Sequence, residues 1–339
     1  MTLTPMQQEL AISTIKVLIL FQALLGLFSA MTYIERRVLA FMQFRLGPNR
    51  TGPWGILQPV ADGIKLFFKE EVIPEGANKL IFVAAPAVAI VTAFLSIAVV
   101  PYGGTVTIAG RPILLQIADL DVGVLFLFAV SSLGVYAIVM AGWAANNKYS
   151  LIGGLRSSAQ MFSYELALGL SFVTLIMVAG SFRIRDIVDS QAGWFWHWNA
   201  IRQLPAFVVF LVAITAEVNR TPFDLPEAET ELVAGFHTEY SSMRFALIQM
   251  AEYVNMITAS AVGANLFFGG WHFGIAGVPD SPLWFVGKML AFLFLFIWLR
   301  GTVPRFRYDQ LMHFGWKVLV PIAMAWIFVC AAIVLVRQS

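Results

Sequence analysis

The sequence predicts an all-α polytopic membrane protein with about eight transmembrane helices and one amphipathic surface helix. Hydrophobic residues make up 59% of its 339 residues and charged residues only 12%, about half the charged share of an average soluble domain. The uncharged runs are too long for a soluble core. They also lack the strict polar–apolar alternation of a transmembrane β-barrel. Composition therefore excludes a soluble protein and the pattern excludes a barrel.

The apolar runs give the helices in order. A helix that crosses the hydrocarbon needs about 20 apolar residues, because no water is present there to satisfy its backbone groups. Eight runs qualify: Val17–Ile34, Leu80–Val100, Val122–Ala145, Ser157–Phe182, Leu204–Ala216, Phe245–Phe268, Pro282–Leu299 and Val318–Val336. The fifth is the weakest, since it holds only 13 uncharged residues before Glu217. We expect it to be lengthened through Glu217 by burial among its neighbours.

The basic residues orient these spans. The segments that join spans 1–2, 3–4, 5–6 and 7–8 hold fifteen Lys and Arg residues, against six on the other side. The positive-inside rule places the fifteen in the cytoplasm or its equivalent. Both termini then face outward, and the first span is expected to stay uncleaved because its basic cluster follows it. We favour a bacterial plasma membrane over the mitochondrial inner membrane.

The charge balance and the cysteine count exclude several classes of function and of metal site. A net charge of +2 does not indicate a basic surface for binding nucleic acid. A single cysteine, Cys330, excludes an internal disulfide, a cysteine-ligated zinc site and an Fe–S cluster held by this chain. We expect no metal site and no bound cofactor. The chain is interpreted as one helical domain, 1–339, with two unusual loops at 35–79 and 217–244.

The first loop predicts a surface helix. Gly-Pro pairs at 47–48 and 52–53 mark turns, and a helix starts with Pro59 at its first position, where a missing N–H costs nothing. Its apolar and charged residues then lie on different faces. The apolar face holds Val60, Ile64, Phe67 and Phe68, and the charged face holds Asp62, Lys65 and Lys69. The helix is either an anchor for the loop or one wall of a mouth for an amphiphilic molecule.

The second loop is acidic. It contains six of the chain's twenty acidic residues: Glu217, Asp224, Glu227, Glu229, Glu231 and Glu239. Pro222 and Pro226 hold the residues between them extended, and Pro226 can open a helical turn with Glu227 and Glu231 on one face. Like charges so placed raise at least one pKa. A solvated loop and a metal site are the alternatives. Proton-exchanging carboxylates are favoured, because apolar residues flank them and the spacing fits no calcium or zinc motif.

Three ionisable residues lie inside the spans. An ionisable side chain in the hydrocarbon costs a few kcal/mol and is a functional candidate by default. For Lys288 we favour a structural pair with a glutamate or snorkelling to the surface. Glu165 and Glu252 are interpreted as a proton path, with the Tyr164 hydroxyl expected to donate to Glu165. Glu35, at the inner end of span 1, joins this set.

Two motifs resemble a known family. The first runs from Glu-Arg-Arg at 35–37 through Arg-Leu-Gly-Pro-Asn-Arg at 45–50, Gly-Pro-Trp-Gly at 52–55 and Asp-Gly-Ile-Lys at 62–65. The second is Glu-Val-Asn-Arg-Thr-Pro-Phe-Asp-Leu-Pro-Glu-Ala-Glu at 217–229. They resemble the H subunit of proton-pumping NADH:quinone oxidoreductase, respiratory complex I, whose mitochondrial counterpart is NADH dehydrogenase subunit 1. The likeness extends over nearly the whole chain.

The resemblance implies a role in quinone chemistry. It implies that span 1, the surface helix and span 6 frame a ubiquinone entrance. The implied quinone-chamber residues are Arg36, Lys65, Phe223, Asp224, Glu227, Glu229 and Glu231. The implied proton relay is formed by Glu35, Glu165, Glu217, Glu227 and Glu252. Ubiquinone is then a substrate, while NADH, FMN and the Fe–S clusters belong to partner subunits of the peripheral arm. Other membrane-arm subunits and lipid are the remaining partners, and no catalytic residue is expected in this chain.

Two other hypotheses remain open. One is the corresponding subunit of a membrane-bound hydrogenase or related dehydrogenase, without quinone. The other is a stand-alone cation/proton antiporter that uses Glu165 and Glu252, although the inverted repeats and broken spans common in transporters are not evident. Co-purification with hydrophilic Fe–S subunits separates the complexes from the antiporter.

Overall fold

The helical architecture matches the pattern of apolar runs. A computed structural model of the chain describes residues 5–108, 110–225, 232–275 and 277–338. Within these ranges seven helices are long and apolar enough to cross a membrane. The fifth apolar run forms a helix of 14 residues, Leu204–Glu217, which rises only about 21 Å. The predicted all-α polytopic fold is confirmed, and the fifth span needs the residues that flank this short helix in order to cross a hydrocarbon core of about 30 Å.

The elements follow in chain order. The helices are α1 Pro5–Met42, α2 Gln58–Phe68, α3 Lys79–Ala98, α4 Gly123–Ala144, α5 Lys148–Ala179, α6 Ile184–Asp189, α7 Asn199–Arg202, α8 Leu204–Glu217, α9 Ser242–Phe268, α10 Pro282–Thr302, α11 Tyr308–Phe314 and α12 Val320–Gln338. Short 3₁₀ turns occur at Pro53–Gly55, Phe195–His197 and Gly235–His237, and a π-helical turn at Gly315–Leu319 joins α11 to α12. Strands β1 Thr105–Ile108 and β2 Arg111–Leu114 form an antiparallel hairpin, with Thr105 opposite Leu114.

The helices are longer than the apolar runs that predict them. Helix α1 continues to Met42, so Glu35 and Arg36 lie on the helix and not in the loop that follows. Helix α5 begins at Lys148, nine residues before the apolar run. Asn147 stops it from starting earlier, because its side-chain oxygen accepts a hydrogen bond from the backbone N–H of Tyr149 at 2.9 Å.

Five helices surround the centre of the molecule. Helix α3 packs against α4 and α9, while α5 packs against α4, α8 and α12. Helix α9 is buried along most of its length and also contacts α10. Large apolar side chains such as Phe210 and Phe267 fill the junction of α8 and α9, with ring centroids 4.6 Å apart. This arrangement brings ionisable residues of five different segments toward one interior region.

Ion pairs tie the loops on the face opposite the basic segments. The guanidinium of Arg183 holds Asp119 and lowers the pKa of that carboxyl below its usual range. His272 connects two loops, with Nδ1 at 2.8 Å from Asp280 and Nε2 at 3.4 Å from Asp189. Burial lowers the pKa of His272, but the two aspartates outweigh it and raise the pKa overall.

Candidate functional site

Glu35 is the centre of a buried charge cluster. Only 3% of this residue is exposed, although it lies near the end of a helix that is mostly open to its surroundings. Oε1 accepts hydrogen bonds from the guanidiniums of Arg220, at 3.0 Å, and Arg300. Oε2 accepts one from the hydroxyl of Tyr253 at 2.7 Å. Three segments distant in sequence therefore meet at one carboxylate.

Arg220 faces both Glu35 and the aromatic ring of Tyr253. Its guanidinium carbon lies 4.6 Å from the ring centroid, within range of a cation–π interaction. Burial alone lowers the pKa of a guanidinium, but the Glu35 carboxylate outweighs it and raises the pKa of Arg220. The cluster therefore keeps its ionic character in an interior where an unpaired charge is costly.

The turn after α8 carries Arg220 into this position. Gln160 of α5 donates from Nε2 to the carbonyl oxygens of Ala216, at 2.9 Å, and Phe223, at 2.7 Å. Because the same amide binds both ends of the turn, residues 216 to 223 are tied to the bundle. The backbone N–H of Arg220 also donates to the carbonyl of Thr215 at 3.3 Å.

Glu165 is held by a different partner from the one expected. The hydroxyl of Ser132 on α4 donates to Glu165 Oε1. The expectation that Tyr164 donates to Glu165 is wrong, because the Tyr164 hydroxyl donates to the carbonyl of Leu311 at 2.9 Å. Neighbouring residues on an α-helix point about 100° apart, so consecutive side chains rarely meet. Tyr164 faces α11, whereas Glu165 faces α4.

Glu217 and Glu252 line one interior cavity. It lies among α3, α4, α5, α8 and α9 and is partly open to the surroundings. Glu217 closes α8, and Glu252 lies in the first half of α9. Glu217 Oε2 is buried and has no hydrogen-bond partner among the described residues. Most of the cavity wall is apolar, with hydroxyl and amide groups from Thr92, Ser131 and Asn255.

Electrostatic interactions join the cluster to the cavity. Glu252 acts on Arg220, which is bound to Glu35. Glu165 in turn acts electrostatically on Glu217, which lies on the cavity wall. The structure therefore brings four of the five predicted relay glutamates into one group. Glu227, the fifth, lies outside the described residues.

The first loop forms the predicted surface helix. Helix α2 begins at Gln58, one residue before the proline expected to start it, and contacts α1 and α9. Arg36 donates to Asp62 at 2.5 Å, and Lys65 Nζ lies 3.8 Å from the same carboxylate. The apolar face remains exposed at Val60, Ile64, Phe67 and Phe68. Arg36 and Lys65 thus meet at one aspartate on the surface.

The start of α9 fastens the end of this helix. The hydroxyl of Ser242 donates to the carbonyls of Leu66, at 3.0 Å, and Lys69, at 2.8 Å, which the helix itself leaves unsatisfied. Arg244 forms an ion pair with Glu71 at 3.1 Å. The surface helix, span 1 and span 6 are consequently neighbours in space.

The acidic loop is described only in part. Phe223 is buried between the rings of Tyr164 and Phe306, with centroid distances of 5.3 and 5.7 Å. Asp224 is buried and forms an ion pair with Arg305 at 2.8 Å. The other chamber candidates, Glu227, Glu229 and Glu231, lie outside the described residues. Phe223 and Asp224 pack within this chain and connect the loop to the segment between α10 and α11.

Sequence reasoning missed the partners of the glutamates. In the sequence, Arg220 and Arg300 serve only to orient the spans by the positive-inside rule. Nothing in the sequence marks Tyr253 or Ser132 as a hydrogen-bond partner of a glutamate. The usable signal was the position of Arg300 in the last turn of a span. Lys288 does not form the expected pair with a glutamate: its ammonium donates to the carbonyls of residues 268, 270 and 272 at the end of α9. It also lies 4.7 Å from the centroid of the Trp198 ring.

Comparison with known proteins identifies the family. A family model described as NADH dehydrogenase matches residues 15–331. A protein from Geobacter metallireducens, named as H subunit 1 of NADH-quinone oxidoreductase, is 50% identical over 337 residues, covering 99% of this chain and 100% of the relative. The chain belongs to the H-subunit family of NADH-quinone oxidoreductases.

Further relatives in this family have the same extent. An H subunit 1 from Geobacter sulfurreducens is 51% identical over 330 residues, 94% of each chain. An H subunit from Protochlamydia amoebophila is 51% identical over 307 residues, 90% of this chain and 92% of the relative. The predicted family is confirmed: this is a multi-pass membrane subunit of an oxidoreductase complex, and these relatives are bacterial. The membership disfavours a stand-alone antiporter.

Proposed function

We propose that this chain forms the ubiquinone entrance and part of the quinone chamber of NADH:quinone oxidoreductase. It couples quinone reduction to proton translocation through its buried carboxylates. The observation that carries the proposal is the continuous group of charges that runs from Glu35, beside the first loop, through Arg220 to the cavity with Glu252 and Glu217, and on to Glu165.

The entrance is supported by the position of the surface helix. Helix α2 lies beside α1 and α9 and presents exposed apolar side chains, while Arg36 and Lys65 lie on its polar side around Asp62. An isoprenoid quinone has an apolar tail and polar ring oxygens. A mouth with an apolar edge and basic groups behind it suits such a molecule. The proposal also assigns Phe223, Asp224, Glu227, Glu229 and Glu231 to the quinone chamber, and the last three lie outside the described residues.

The coupling follows from electrostatics. Quinone reduction creates negative charge and consumes protons. A change of charge near the acidic loop alters the electrostatic potential at Glu35, whose carboxylate accepts hydrogen bonds from two guanidiniums and a hydroxyl. Arg220 passes that change to Glu252, because the Arg220 guanidinium interacts with both carboxylates. The relay glutamates then exchange protons and transmit the change along the membrane. In a medium of low dielectric such interactions act strongly over short distances.

The partners supply the redox groups. The chain has one cysteine, Cys330, buried in α12, and a cluster of the ferredoxin type needs four cysteine ligands. Electrons therefore reach quinone from a peripheral subunit that carries the Fe–S clusters, with FMN and NADH farther along. The protein sits in the bacterial plasma membrane with both termini on the periplasmic side.

Substitution in the acidic loop tests this function. Glu227→Gln and Glu231→Gln should lower NADH oxidation with quinone, because they remove ionisable groups, while NADH oxidation with an artificial acceptor persists. The exposed Glu70→Gln is the matched control. Wild-type rates with both acceptors, in a fully assembled complex, would rule out the relay assignment. A quinone photoprobe that labels the first or the acidic loop supports the quinone enzyme over the hydrogenase-type complex, and the absence of labelling contradicts it.

A further inference from the structure

A side chain from α5 closes the turn that leads from α8 into the acidic loop. Gln160 is fully buried, and its Nε2 donates to the carbonyl oxygens of Ala216, at 2.9 Å, and Phe223, at 2.7 Å. A side-chain amide has two N–H donors, so these two bonds use both. Ala216 lies in the last turn of α8, and Phe223 lies in the acidic loop. One amide therefore fixes the separation between the end of a helix and the loop that follows it.

Arg220 lies within this closed turn. Asn219, just before it, has a φ of +53°, a left-handed conformation that asparagine adopts more readily than most residues. The backbone N–H of Phe223 donates to the Arg220 carbonyl at 2.9 Å. The Arg220 guanidinium donates to Glu35 at 3.0 Å. Because Arg220 lies between the two carbonyls that Gln160 binds, a change in their separation moves the guanidinium relative to Glu35.

Helix α5 also binds the side chain of Phe223. Tyr164 lies one turn after Gln160, and residues four apart share a helix face. The rings of Tyr164 and Phe223 have centroids 5.3 Å apart. The Tyr164 hydroxyl is itself fixed by the Leu311 carbonyl at 2.9 Å. Phe223 is therefore attached to α5 by both its ring and its carbonyl, so the acidic loop cannot shift at Phe223 without changing the hydrogen bond to Gln160.

A second buried glutamine joins the same two helices at their other end. Gln203 precedes α8, and its Nε2 donates to the Thr174 carbonyl of α5 at 3.3 Å. Like Gln160 it is buried, and within the described ranges the side-chain oxygen of each glutamine has no hydrogen-bond partner. The two residues thus make similar links between α5 and α8. They differ because Gln160 also binds the acidic loop, so Gln203 is a matched control for it.

We propose that Gln160 is a positioning residue for the coupling of quinone reduction to proton movement. It transmits a displacement of the acidic loop to Arg220 and thereby to the ion pair of Arg220 with Glu35. This role requires neither contact with quinone nor a change of protonation at Gln160. It rests on the proposed function and adds a mechanical link between the acidic loop and the buried charges.

The test is Gln160→Met in the intact complex, because methionine has a similar length and no donor. We expect the kcat of quinone-linked NADH oxidation to fall about tenfold or more, since two buried hydrogen bonds are lost. The KM for quinone and the rate with an artificial acceptor should stay at the wild-type level. Gln203→Met removes the comparable bond between α5 and α8 and should leave the quinone-linked kcat close to wild type.

A double variant separates positioning from stability. In an Arg220→Lys complex, Gln160→Met should lower the kcat by less than about twofold, because it acts through the position of the Arg220 side chain. Independent structural losses would instead multiply. If Gln160→Met fails to assemble, Gln160→Asn replaces it in every comparison, since it withdraws the amide by one C–C bond, about 1.5 Å.

Three results would overturn the role of Gln160. They are an unchanged quinone-linked kcat in the assembled variant, an equal loss in Gln203→Met, and multiplied losses in the double variant. Failure of the proposed function gives a different result: Arg220→Lys and Glu217→Gln then also leave the ratio of quinone-linked to artificial-acceptor rates unchanged. If both lower that ratio and Gln160→Met does not, the coupling stands and the role of Gln160 does not.

Discussion

Replacing Glu35 by glutamine should destabilise the subunit measurably. The substitution keeps the shape of the side chain but leaves two guanidiniums without their shared carboxylate. It also places an amide donor opposite the donors of Arg220, Arg300 or Tyr253. Loss of one partner from a buried ion pair costs about 3–5 kcal/mol. Because 35% of the Arg300 side chain is exposed and can recruit water, we expect a value near the lower end, about 3 kcal/mol.

Thermal inactivation of the purified complex measures this loss. A multi-subunit assembly does not unfold in two states, so the appropriate quantity is the half-life of the assembled protein at a fixed temperature. A loss of about 3 kcal/mol shortens it by up to about a hundredfold, since each 1.4 kcal/mol is about a factor of ten. Tyr253→Phe removes one hydrogen bond to the carboxylate and should cost about 2 kcal/mol. A half-life for Glu35→Gln equal to that of the exposed control Glu70→Gln would refute the reasoning.

Three further predictions concern groups outside the charge cluster. Asp119→Asn should remove a contribution to stability that depends on pH. Arg183 lowers the pKa of the Asp119 carboxyl, so the ion pair stabilises the fold above the usual aspartate pKa. This stabilisation is lost as pH falls through the lowered pKa. Hydrogen exchange of the hairpin and α6 at about pH 3 and about pH 7 checks this. His272 has a raised pKa, so its contribution is fully present below the usual histidine pKa and is lost as pH rises through the raised value. Its two loops should exchange faster at about pH 9 than at about pH 6, beyond the intrinsic pH dependence of exchange, and this difference should disappear in His272→Gln. Gly55→Ala should destabilise the first loop by more than about 1 kcal/mol, because φ is +79° and the new Cβ would lie 2.2 Å from the Pro48 carbonyl oxygen. Limited proteolysis of the loop measures this loss of stability, and an unchanged rate of cleavage would contradict the prediction.

The sequence predicts the spans well because a long apolar run is stable in a membrane only as a transmembrane helix. Helix ends are less predictable: α1 carries Glu35 beyond its apolar run and buries it against three other segments. The run from Leu204 has the composition of a span but not the length. The apolar composition of a run indicates that its helix lies in lipid, whereas the residue at which the helix ends depends on capping and tertiary contacts.

The site was predictable in its acids but not in their partners. A glutamate in an apolar run is conspicuous, whereas the arginine that binds it can lie anywhere in the chain. Arg300 is 265 residues from Glu35, and no local pattern relates the two. The pairing of Tyr164 with Glu165 failed because it relied on adjacency along the chain. Side chains meet across helices, as Ser132 and Glu165 do.

The most direct test of the coupling claim is the ratio of quinone-linked to artificial-acceptor NADH oxidation in a Glu217→Gln complex. Glu217 lies at the end of α8 on the cavity wall, where it interacts with Glu165, and it is not part of the proposed entrance helix α2. If carboxylates in the bundle couple quinone reduction to proton movement, the ratio falls while the artificial-acceptor rate stays at the level of the Glu70→Gln control. An unchanged ratio and unchanged proton uptake per NADH, in a fully assembled complex, would contradict the account.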